Sequence, residues 1–118
     1  MNELTLIQIG ESDRLGRLLT FAAGDLRVCR AGVTDTAHLA GARVIFAVHV
    51  DAFGAPAELH TLLRALRSHP GCLSGCTGGV IVDADGELYS KAAAQALVLA
   101  ANSAGCLFPG KPLVEGTG

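Results

Sequence analysis

Apolar residues along the chain fall into two alternating kinds of run, short and continuous or helically spaced. Residues 3–9, ELTLIQI, form a β-prone run that ends at Gly10. Leu15, Leu18, Leu19 and Ala22 then recur at helical spacing, with Arg14 and Arg17 turned away from that stripe, so a helix is predicted that Gly24 can close. LRVCR (26–30) reads as a short alternating strand, and TDTAHLAG (34–41) allows a turn or two of helix behind a Thr34 cap. RVIFAVHV (43–50) is almost uninterrupted in β-branched and apolar residues, the mark of a strand buried on both faces. From about Ala57, Leu59, Leu62, Leu63 and Leu66 line one helical face and His60, Arg64 and Arg67 the other, until Pro70 and Gly71 stop the helix. GVIVD (79–83) is a further buried strand, and residues 87–104 form an alanine-rich helix closed by Gly105. The remainder, CLFPGKPLVEGTG, reads as a short strand at CLF followed by proline- and glycine-rich coil.

The order is thus β-α-β-(short α)-β-α-β-α-β without internal repeats. Alternation of this kind predicts a parallel sheet with helices on both faces, in a single domain spanning residues 1–118. In such sheets ligands bind beyond the C-terminal strand ends, where strand order reverses, which directs attention to the loops after residues 9, 50 and 83.

Composition narrows the function classes. Half of the residues are hydrophobic, 17% are charged and the net charge is −2, which describes a globular chain with no general attraction to nucleic acid. No apolar run approaches the roughly 20 residues that span a bilayer, and no basic segment leads into an apolar one at the N-terminus. A cytoplasmic location away from membranes is expected. Cys29, Cys72, Cys76 and Cys106 fall at unequal intervals, and the Cys72/Cys76 spacing is one residue too long for a zinc knuckle or redox dithiol. Structural thiols and no metal site are expected.

The three loops differ in content. The first, GESDRLG, offers Ser12 as a helix N-cap and Arg14 as a phosphate partner, beside two acids, Glu11 and Asp13, that suit a helix dipole. It has neither GxGxxG nor GxxxxGK[ST]. The second, HVDAFGAPAEL, carries His49, Asp51, Phe53, Gly54 and Pro56: either an aromatic lid over a ring system, or a turn residue, a core plug and a satisfied histidine. The third, DADGELYSK, contains Asp83, Asp85, Gly86 and Glu87, whose spacing does not make the calcium loop and reads most simply as a turn and helix start. No G-x-S-x-G elbow follows a strand and the histidines fall mostly on helix surfaces or ends, so no catalytic residue is assigned. Any chemistry would come from a bound cofactor.

Gly10, Ser12 and Arg14 behind a strand, then Phe53, Gly54, Pro56 and Leu59 behind a buried strand, then Leu73, Gly75 and Gly79, and a helix ending at Gly105, together resemble the flavodoxin-like NAD(P)H-dependent FMN reductases. The resemblance implies a three-layer sandwich with a five-stranded parallel sheet. It implies FMN at the C-terminal strand ends, with Gly10, Ser12 and Arg14 at the phosphate, Val50, Asp51, Phe53 and Gly54 beside the flavin, and Asp83, Asp85 and Gly86 in the third wall. The activity implied is hydride transfer from NAD(P)H through bound FMN to a small-molecule acceptor. The rival reading is a non-catalytic flavodoxin-like domain that has lost its cofactor and serves in assembly or binding. The chain stops at Gly118, where that family continues into a last helix, and Cys76 stands where it commonly has lysine. In that topology the first and last helices share one face of the sheet. With the last helix missing, the face beside residues 15–22 is expected to be partly bare and to meet a second copy, as a dimer or larger assembly. The alternative is a gene product cut short.

Overall fold

The computed structural model describes residues 3–32, 39, 41–50, 57–84, 87–108 and 113–117, and of residues 87–91 and 113–117 the backbone alone. Strand β1 (Glu3–Ile9) leads into helix α1 (Asp13–Ala23), then β2 (Arg27–Ala31), β3 (Arg43–Val50), α2 (Ala57–Ser68), β4 (Thr77–Ala84), α3 (Glu87–Ser103) and β5 (Leu113–Thr117). All pairings are parallel, and the sheet runs β2-β1-β3-β4-β5. Strand order therefore reverses between β1 and β3, the position at which such folds make their ligand crevice. The expected short helix over residues 34–41 falls almost entirely outside the described residues.

The near-continuous apolar strands exist because both faces are covered. Ile7, Ile9, Val44, Phe46, Val48, Val50, Val80 and Val82 face α2 and α3 in the main core. There the leucine stripe of α2 (Leu59, Leu62, Leu63 and Leu66) and the alanine-rich face of α3 (Ala93, Ala94, Leu97, Ala100 and Ala101), with Ala104 just beyond it, are buried. Alanine lets α3 approach closely while costing little side-chain entropy. The opposite face is thinner. Leu6 of β1, with the register pair Ala47 of β3 and Ile81 of β4, packs under Leu15 of α1, and Leu18, Leu19 and Ile45 are only partly covered. Phe21 on the outside of α1 is 88% exposed.

The C-terminal strand lies elsewhere than the sequence predicts. CLF was expected to be a strand and the rest coil, but Leu107 makes a single bridge to Thr77, and the paired strand is Leu113–Thr117, in register with Val80–Ala84. The outer side of β4 offers a row of backbone groups there, and pairing satisfies them whatever the local sequence prefers.

Candidate functional site

The first loop is shaped by its neighbours. Gly10 adopts φ 75°, where a side chain would be strained, and a Cβ on it would stand 3.1 Å from the Cβ of His49. Ser12 then caps α1: its backbone is extended, and its hydroxyl accepts the Leu15 N–H at 3.0 Å. Asp13 in the first turn suits the positive end of the helix.

Strand β4 reaches across to this cap. Asp83 is the buried charged residue of the described chain, at 1% exposure, in register with His49 on β3. The Ser12 hydroxyl donates to Asp83 Oδ2, and His49 Nδ1 lies 2.9 Å from the same oxygen. A carboxylate only accepts, so the histidine tautomer here carries its proton on Nδ1. The Arg14 guanidinium stands 2.8 Å from Asp83 Oδ1 and donates to the Ala84 carbonyl at 3.2 Å. Its contact to Oδ1 is an ion pair without the alignment of a hydrogen bond. Side chains from the β1–α1 loop, α1 and β3 thus converge on one carboxylate of β4. A carboxylate so placed takes the partners that the first loop would present to an incoming anion.

Of the residues expected to form the site, Ser12, Arg14 and Asp83 come together, with Gly10 beside them. Val50 instead points into the main core and is fully buried, because side chains alternate along β3 and Val48 and Val50 share the face of Phe46. Asp51, Phe53, Gly54, Asp85 and Gly86 lie outside the described residues. The pairing of Asp83 with His49, Ser12 and Arg14 was not foreseen from sequence. The available signal was a lone acid inside GVIVDA, since a charge in a buried strand requires partners.

Beside α1, Leu6, Gln8, Ser12, Leu19, Val28 and Arg30 line an open groove of about 970 Å³ between the helix and the β1–β2 side of the sheet. Arg30 donates to the Gln8 side-chain carbonyl at 2.7 Å along its floor. Among the described residues no three histidine, cysteine or acidic side chains are placed to hold a metal ion. No helix among them is long and apolar enough to cross a membrane.

The parallel 2-1-3-4-5 order can be compared with solved structures. Flavodoxin 1 from Bacillus cereus superposes with a TM-score of 0.67 over 98% of this chain and 86% of its own, at 18% identity. The fold is flavodoxin-like. The Streptococcus pneumonia flavodoxin gives a TM-score of 0.74 at 16% identity, covering 96% of this chain and 83% of that one. A short-chain flavodoxin associated with a bacterial microcompartment gives 0.72 at 15% identity, covering 99% and 86%. No family model and no curated protein matches the chain.

Flavodoxins, which share this strand order, hold FMN at the β1/β3 reversal. Here the first loop does not fit its phosphate. The Ser12 hydroxyl is used twice, once by the helix and once by Asp83. The Arg14 guanidinium is already paired with Asp83, and Glu11 and Asp13 add two acids at the start of α1.

Proposed function

We propose that this chain is a flavodoxin-like domain whose first loop is closed from within and which acts in binding or assembly without holding FMN there. The observation that carries this reading is Asp83: a buried carboxylate occupies the hydroxyl of Ser12 and the guanidinium of Arg14. A phosphate would have to displace a covalently tethered anion that is already desolvated, and then sit beside it. Desolvated like charges in contact are strongly unfavourable. Arg14 and Ser12 therefore hold β4 to the start of α1. His49 does the same from β3, so the three strand ends around the crevice are held together.

Assembly follows from the thin face. The groove beside α1, lined in part by the exposed Val28, and the exposed Phe21 on the outside of the helix are proposed to be covered by a second copy of the chain. Sedimentation or light scattering at micromolar concentration is expected to give a dimer or larger species, and a clean monomer would remove this part of the reading.

A second reading is favoured by the fold itself: FMN held chiefly by the loops after β3 and β4, passing hydride from NAD(P)H to a small-molecule acceptor. It is supported by the crevice at the β1/β3 reversal and by the flavodoxins among the structural neighbours. One titration separates the two. Under the first reading purified protein is colourless and leaves FMN fluorescence unchanged. Under the second it quenches that fluorescence saturably and turns yellow.

A further inference from the structure

At the end of the sheet away from Asp83, two free thiols meet. Cys76 precedes β4 and Cys106 follows α3, and both are fully buried in the main core. Their backbones are laid side by side. Leu107 N–H donates to the Cys76 carbonyl at 2.9 Å, Gly78 N–H donates to the Leu107 carbonyl at 2.8 Å, and Thr77 and Leu107 form a parallel bridge. Each cysteine is the residue immediately before its bridge partner, so the two occupy facing positions across a parallel pair. Neighbouring strands lie about 4.8 Å apart, inside the roughly 4.4–6.8 Å span of Cα atoms that a disulfide bridges.

The side chains share a face. A Cβ built on Gly78 would fall 2.7 Å from Cys106 Sγ, which places that sulfur over the 76–78 stretch and shows why position 78 is glycine. The Cys76 thiol sits on the same side of the sheet and donates to the Leu39 carbonyl at 2.8 Å. Closing a bridge to Cys106 requires Cys76 to give up that contact with Leu39. Neither thiol is used by the cluster around Asp83.

From this register we infer that Cys76 and Cys106 form a reversible intrachain disulfide that fastens the exit of α3 to the entry of β4. In the step, both S–H bonds break, one S–S bond forms, and the two electrons and two protons pass to a two-electron oxidant. A low-molecular-weight disulfide fills that role, leaving as two thiols. Burial, and then the neighbouring Cys76, push the Cys106 thiol up to about 11, so the reaction is slow at neutral pH and accelerates as pH rises.

The test uses the full chain with Cys29→Ser and Cys72→Ser, which leaves these two thiols alone. After treatment with diamide at about pH 9, where thiolate becomes appreciable, the expected product is a chain, free of intermolecular cross-links, that has lost both alkylatable thiols. Its non-reducing peptide map contains the Cys76–Cys106 cross-link, its melting temperature is raised, and dithiothreitol reverses all three changes. Two thiols that remain alkylatable after unfolding, or a disulfide between chains, would overturn the inference. If the double variant does not fold, the same peptide map on the wild-type chain decides: Cys76 joined to Cys106 supports the inference, and Cys76 joined to Cys72 refutes it.

Discussion

Replacing Asp83 by asparagine removes one charge from the centre of the cluster while nearly keeping its shape. The carboxylate accepts from Ser12 and His49 and pairs with Arg14, and it is 1% exposed. Hydrogen bonds to a charged group contribute about 1.5–3 kcal/mol each, and removing one member of a buried pair costs about 3–5 kcal/mol. The Arg14 side chain is 32% exposed, so water takes over part of its share, and the asparagine carbonyl keeps one acceptor. A loss of about 3 kcal/mol is therefore expected. With an unfolding entropy of about 2.1 cal/mol/K per residue, a chain of this length loses roughly 12 °C in Tm. Urea unfolding followed by circular dichroism should show the midpoint fall with an unchanged m-value, since the same surface is exposed. Ser12→Ala combined with Asp83→Asn should be less destabilising than the two single losses added, by about 1 kcal/mol or more, because the residues touch. A Tm within about 2 °C of wild type for Asp83→Asn would refute the argument that this carboxylate holds the crevice together.

Two further outcomes follow from the packing. Because folding raises the Cys106 thiol from 9.0 to about 11, the folded chain keeps a proton that the unfolded chain has lost between those values. Stability should therefore fall by roughly 2–3 kcal/mol as pH rises through that window, at about 1.36 kcal/mol for each pH step of one, and Cys106→Ala should flatten the profile. Gly78→Ala drives a methyl group against Cys106 Sγ, the Phe108 ring and the Val44 carbonyl, at 2.7, 3.1 and 3.3 Å, and should cost about 1–3 kcal/mol. Adding Cys106→Ala should restore part of that loss in thermal melts; no restoration would show that the contacts with Phe108 and the Val44 carbonyl dominate.

Much of the scaffold could be read from local pattern. Val44 to Val50 is apolar at nearly every position because both faces of β3 are covered, and the leucines of α2 recur at helical spacing because one face meets the sheet. The Ser12 cap was legible for the same reason: its partner, Leu15 N–H, is three residues away. What escaped depends on contacts distant in sequence. Asp83 closes the GVIVD run and reads locally as the first acid of a loop; its role emerges only when parallel register sets it beside His49 and α1 brings Ser12 and Arg14 over it. Val50 was placed beside a ligand by its position at a strand end, whereas the pleat turns it inward. Strand β5 was missed because Leu113–Thr117 contains glycine and glutamate, residues uncommon in strands, and is fixed by the backbone groups of β4. The Cys76/Cys106 pair was invisible because the two positions meet only after α3 has crossed back over the sheet.

The central claim is that the first loop is closed from within, and the most direct measurement of it is a fluorescence titration of FMN with purified wild-type protein, run beside inorganic phosphate as competitor. The account predicts no saturable quenching at micromolar protein and no effect of phosphate. Saturable quenching that inorganic phosphate reverses, and that Arg14→Ala abolishes, would contradict it.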